Sequence, residues 1–108
     1  MVFIETSRFT DLLDNYLNDD EYRELQNYLL ENPNAGVIIR NSGGIRKLRW
    51  AARGKGKSGG VRIIYYWAPI PDHIYFLTLY SKGEQENIDA ATLKRIAKLL
   101  EKLLETFK

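Results

Sequence analysis

The chain contains no cysteine. That excludes disulfides and thiolate chemistry, and it fits a reducing, cytoplasmic setting. Histidine occurs once, as His73. One imidazole without a thiolate leaves no plausible zinc or iron site, so no cofactor is expected. The four serines have no histidine partner for a nucleophilic triad. His73 itself follows Pro71-Asp72 in an expected turn and reads as surface decoration. No apolar run approaches the ~20 residues that a membrane helix needs. The opening residues also lack the basic-then-apolar pattern of a secretory leader, so no membrane partner is expected. One further absence concerns charge: from Asn32 to Pro71 there is neither aspartate nor glutamate.

What the sequence does contain is distributed unevenly around that gap. The 108 residues, 44% apolar and 28% charged, suit a single globular domain over 1–108. The formal net charge of +2 is the residue of three unlike parts. Residues 1–31 carry 2 basic and 8 acidic side chains, and residues 72–108 carry 6 of each. The acid-free stretch holds eight cations: Arg40, Arg46, Lys47, Arg49, Arg53, Lys55, Lys57 and Arg62. Such a local positive field suits a polyanion and would weaken with salt. The bland alternative is a solubilising loop.

Periodicity supplies the elements. Val2-Phe3-Ile4 suits an early strand. Thr6 or Ser7 can cap a helix over Arg8–Leu17, with Phe9, Leu12, Leu13, Tyr16 and Leu17 on one face. Asn18-Asp19-Asp20 signals a second helix start, which would bury Tyr22, Leu25, Tyr28 and Leu29 and end before Asn32-Pro33. Val37-Ile38-Ile39, Ile45–Ala52, Val61–Trp67 and Ile74–Tyr80 read as strands. Between the second and third of these, Arg53–Gly60 (RGKGKSGG) reads as a glycine-rich basic loop. Asp89 caps a last helix with a stripe of Leu93, Ile96, Ala97, Leu100, Leu104 and Phe107. The sum is an α+β fold: a small antiparallel sheet packed by an N-terminal helical hairpin and a C-terminal helix.

Strand parity sorts the cations. Leu48 and Trp50 belong to the core, which sends Lys47 and Arg49 to the opposite face. Arg62 shares its face with Ile64 and Tyr66 inside an otherwise apolar strand. A structural arginine there would lie over a neighbour or pair with an acid of the first helices. The chemical alternative is phosphate work done by cations alone. Cleaving RNA requires that a 2′-OH lose a proton and attack phosphorus, that charge on the phosphoryl oxygens be stabilised, and that the leaving oxygen be protonated. The planar arginine fork suits the middle task. Lysines crowded by other cations exchange protons more readily near neutral pH. A non-catalytic RNA-binding surface would present the same pattern. RGKGKSGG lacks the G-x-x-x-x-G-K-[ST] spacing, so it is no nucleotide-binding loop. Glu84 and Glu86 could hold a divalent ion, but such pairs are usually solvated surface.

The segment GGIRKLRWAARGKGKSGGVRIIYYW, followed by IYFLTLYSKGEQENI, resembles the HigB branch of the RelE toxin superfamily. The similarity extends to FIETSRF, to YLNDDEYRELQNYLLENPNAG and to the C-terminal helix. The resemblance implies a RelE/ParE-like fold and a metal-independent, ribosome-dependent endoribonuclease acting on mRNA in the ribosomal A site of the 70S ribosome. It also implies a cognate HigA-like antitoxin with a helix-turn-helix domain, through which alone operator DNA would be contacted. Carried over by position, Arg62 meets the scissile phosphate, and Lys82 assists the leaving group. Lys55 or Lys57 serves as base or electrostatic partner, and Lys47 and Arg49, with Arg46 and Arg53, grip RNA. Gly83 stands where some relatives carry a further arginine, and Asn87-Ile88-Asp89 where they carry a tyrosine, which leaves a lysine as the candidate base. Two rival readings remain: a ParE-like toxin that inhibits DNA gyrase by binding, and an RNA- or ribosome-binding module without turnover.

Overall fold

A computed structural model of the chain describes residues 1–51 and 60–107. The elements follow as β1 (Val2–Glu5), α1 (Ser7–Leu13), α2 (Asp19–Glu31), β2 (Val37–Ile38), β3 (Arg46–Trp50), β4 (Val61–Ala68), β5 (His73–Ser81) and α3 (Ala90–Thr106). One five-stranded sheet runs in the order β1-β5-β4-β3-β2. Strands β2 to β5 form the expected antiparallel meander. The sheet as a whole is mixed, because β1 pairs with β5 in parallel, Val2 opposite His73 through Glu5 opposite Phe76. The connection from β1 to β5 contains two helices and three strands, ample length for a parallel crossover.

The two faces of the sheet bury separate cores. Alternate residues Val61, Ile63, Tyr65 and Trp67 of β4 pack with Phe9, Leu17, Leu25 and Leu29 of the helical hairpin layer. The other parity, Ile64, Tyr66 and Ala68, packs with Ile96 and Leu100 of α3. Double coverage is why β4 and β5 read as nearly continuous apolar runs. Between Ile64 and Tyr65 the pairing slips: Ile64 faces Thr78 while Tyr65 faces Phe76, so Leu77 is the extra residue of a bulge. Its carbonyl accepts the Thr6 hydroxyl (2.8 Å), and Thr6 Oγ1 in turn accepts the Phe9 amide (3.0 Å) as the N-cap of α1. One threonine thus caps a helix and satisfies a bulge.

Helix α1 is shorter than its apolar pattern predicts. It stops at Leu13, where the Asn15 and Tyr16 amides turn to the carbonyls three residues back. Tyr16 and Leu17 remain buried in the same core although they lie outside the helix. The face was legible, but the chain must reverse within these residues to reach the Asn18 cap of α2. Strand β3 is also shorter than Ile45–Ala52: the Ile45 carbonyl closes a turn onto the Ile39 amide, and its own amide bonds the Ser42 hydroxyl. Among the described residues, no helix is long and apolar enough to cross a membrane.

Candidate nucleic-acid interface

Three antiparallel strands bring distant cations into one row. Arg49 lies directly opposite Arg62 across β3 and β4, and Arg62 lies directly opposite Tyr80 across β4 and β5. Lys47 is two residues along on the same face, opposite Ile64. This is the α3 face of the sheet, at the end where β5 gives way to the connection leading to α3. There a cleft of about 360 Å³ is lined by Lys47, Arg49, Arg62, Lys82, Glu86 and Asn87. Like charges set directly opposite in a sheet are destabilising. A guanidinium is also costly to remove from water, and Arg62 is only 6% exposed. Arg49 on β3 and Arg62 on β4 thus set two positive charges side by side at the cleft.

The segment after β5 supplies the fourth wall. Lys82 follows the last residue of β5, and the Lys47 Nζ donates to Asn87 Oδ1 at 2.9 Å. Glu86 brings a carboxylate to the cationic cleft. Tyr80, buried beside Arg62, has its phenol pushed up by burial, while the positive charge of Arg62 and a backbone bond at Ile88 oppose the shift.

The residues expected from sequence therefore divide. Arg62, Lys47, Arg49 and Lys82 come together. Arg46 does not: it lies on the opposite face of β3, and its guanidinium donates to the carbonyls of Gly36 (2.8 Å) and Asn34 (3.2 Å). Arg53, Lys55 and Lys57 lie outside the described residues. The described neighbours of that segment, Ala51 and Gly60, adjoin the Trp50–Val61 pair, the next pair along from Arg49–Arg62. Asn87 and Glu86 were not anticipated as cleft residues. The signal available, a polar run between a strand and a helix cap, says nothing about which way such a run folds. Glu84, considered with Glu86 for a divalent ion, points elsewhere and bonds Tyr16 and Ser81. Among the described residues, no group of three or more His, Cys, Asp or Glu could hold a metal ion. His73 begins β5, at the far end from the cleft, with Nδ1 3.5 Å from the Tyr75 hydroxyl.

The fold is thus a mixed sheet with a helical pair on one face, a single helix on the other and a cationic row across its central strands. In a structure of E. coli toxin RelE, a double arginine-to-alanine mutant in the free state, the same fold recurs with a TM-score of 0.55. That match has 13% identity and covers 79% of this chain and 86% of the other. The family model for the RelE toxin of the RelE/RelB toxin–antitoxin system matches residues 22–107. The chain belongs to this family and is the toxin half of a toxin–antitoxin pair.

Proposed function

We propose that the protein is a ribosome-dependent endoribonuclease that cuts messenger RNA and thereby arrests translation. The observation that carries this reading is Arg62: a nearly buried guanidinium on the central strand, flush with Arg49, facing the cleft that Lys47 and Lys82 share. In the proposed reaction the 2′-oxygen beside the scissile bond loses its proton and attacks phosphorus. The Arg62 fork opposes the charge that gathers on the two non-bridging oxygens. Lys82 delivers a proton to the departing 5′-oxygen, and Lys47 and Arg49 hold flanking phosphates. Lys55 or Lys57 is assigned as base or electrostatic partner, and Arg53 is kept as a further phosphate contact. Arg46 is left out of the RNA contacts, since it lies on the opposite face of β3, where its Nη1 donates to the Gly36 and Asn34 carbonyls. We further assign the partner as an antitoxin with a helix-turn-helix domain that brings the complex to operator DNA.

Brief expression followed by primer extension on translated messages tests the reading. Wild-type protein is expected to leave cuts within codons. Arg62→Ala is expected to lose about 100-fold or more of the cutting rate, the usual size of effect for deleting one transition-state donor. Arg62→Lys keeps the charge without the fork and is expected to fall between the two. Full cutting by both variants, folded to the wild-type melting temperature, would remove Arg62 from the site. Intact messages with broken DNA would point to gyrase inhibition. Intact messages with the protein retained on ribosomes would reduce it to a binding module.

A further inference from the structure

The connection between β5 and α3 carries three cleft residues, Lys82, Glu86 and Asn87, yet it has no regular structure of its own. Residues 82–87 are all exposed, and a Cβ added at Gly83 would meet nothing within 4 Å. Such a segment has to be held from elsewhere if a lysine on it is to meet a phosphate reproducibly.

The holder is a carboxylate that does not line the cleft. Glu84 Oε1 accepts three hydrogen bonds: from the Ser81 amide (3.1 Å), the Ser81 hydroxyl (2.7 Å) and the Tyr16 hydroxyl (2.5 Å). The bond is returned through the backbone, where the Glu84 amide donates to the Ser81 carbonyl at 3.1 Å. Both partners are firm. Ser81 ends strand β5 at 4% exposure, and Tyr16 sits at 5% exposure in the core beneath the helical hairpin. Burial, then the bond and the charge of Glu84, push the Tyr16 phenol up to about 12, so it remains an O–H donor throughout the ordinary pH range. One oxygen therefore ties the start of the connection to the sheet and to the helical layer at once. Further along, Ile88 packs into the α3-side core and Asp89 caps α3. Between those two anchors lie Glu86 and Asn87, with Lys82 just ahead of the first.

We propose that Glu84 is a positioning residue: bonded to Tyr16 and Ser81, it fixes the path of residues 82–87 and so the place of Lys82 beside Arg62 and Arg49. Its carboxylate has a second effect of the same kind. Held by three donors, it stays out of the cleft lining that Lys82 shares with Arg62 and Arg49. The consequence for catalysis rests on the reading of the cleft given under Proposed function. The consequence for the path of the segment does not.

Two measurements on the full chain separate these. In amide hydrogen exchange, Glu84→Ala is expected to speed exchange in residues 82–88 by about ten-fold or more, since it deletes the one acceptor that three donors share. The amides of β4 and α2 are expected to stay as in the wild type. In cleavage of a message on programmed ribosomes, the same variant is expected to lower kcat about 10- to 100-fold with KM nearly unchanged, the mark of a misplaced group. Glu84→Gln, which keeps an acceptor oxygen, is expected to restore most of kcat. Unchanged exchange in residues 82–88 overturns the proposal. So does faster exchange with an unaltered kcat in a preparation where Lys82→Ala has lost activity. Wild-type protein that leaves the message intact overturns the reading of the cleft instead, and the exchange measurement then judges the clamp alone.

Discussion

Tyr65 meets three demands at one site. Its ring is fully buried in the core under the helical hairpin, its hydroxyl donates to the Pro33 carbonyl (2.9 Å), and it accepts the Gly36 amide (2.8 Å). Burial raises this phenol, against the opposing pull of the Gly36 bond and the nearby charge of Arg46. Gly36 has no room for anything larger than hydrogen. A Cβ there would stand 2.8 Å from Cε1 of Tyr65 and 3.0 Å from Cβ of Arg46. Gly36→Ala is therefore expected to destabilise the fold by about 1–3 kcal/mol, the usual cost of overpacking a filled site. Urea unfolding measures it, and an unchanged midpoint would show that the Pro33–Gly36 segment can shift freely. The same close packing explains Arg46. Its side chain is committed to closing this segment, which parity alone places on the helical-hairpin face and which no local pattern marks as a carbonyl-binding site.

Helix ends show where local chemistry suffices. Asn18 Oδ1 accepts the Glu21 amide (2.8 Å) and Glu21 Oε1 accepts the Asn18 amide (3.0 Å), a reciprocal box at the start of α2. Asp19, Asp20 and Glu21 also place negative charge at the positive end of the helix dipole. Asn18→Ala is expected to cost about 1 kcal/mol. Thermal unfolding of that variant should show a lower midpoint, while the far-ultraviolet spectrum at low temperature stays as in the wild type. Asp89 works in the same way on α3, and its bonds to the Thr92 amide and hydroxyl hold its carboxyl below the ordinary value. These starts were legible because a cap acts within three residues. The end of α1 was not, because Tyr16 and Leu17 keep helical spacing on the buried face while their backbone has already turned. The bulge at Ile64/Tyr65 was equally hidden: Leu77 is apolar and buried like its neighbours, so composition does not mark it as the extra residue.

Among the described residues five tyrosines have raised phenols, at positions 16, 22, 65, 75 and 80, with burial the leading cause in each. Glu84 adds to the shift at Tyr16, and Glu5 adds to it at Tyr22. A group whose folded value lies above its unfolded value contributes stability that is complete below the unfolded value and drains as pH rises through the folded one. For Tyr16 that window runs from 10 to about 12. Denaturant midpoints are expected to hold up to pH 10 and fall beyond it, and Tyr16→Phe should make the fall shallower. An equally steep loss in that variant would show that Tyr16 is not one of the groups responsible.

The cationic stretch, the separation of Lys47 and Arg49 from Leu48 and Trp50, and the place of Arg62 among apolar neighbours were determined by sequence, because charge and strand alternation are local properties. The family resemblance, now matched over residues 22–107, added the toxin class. Tertiary structure alone decided the rest. It set β1 parallel to β5 and turned Arg46 away to close a loop. It also drew residues 82–87 over the sheet through bonds spanning 68 positions at Tyr16–Glu84 and 40 at Lys47–Asn87. Contacts at such separations depend on how whole layers pack, and neighbouring residues carry no record of that.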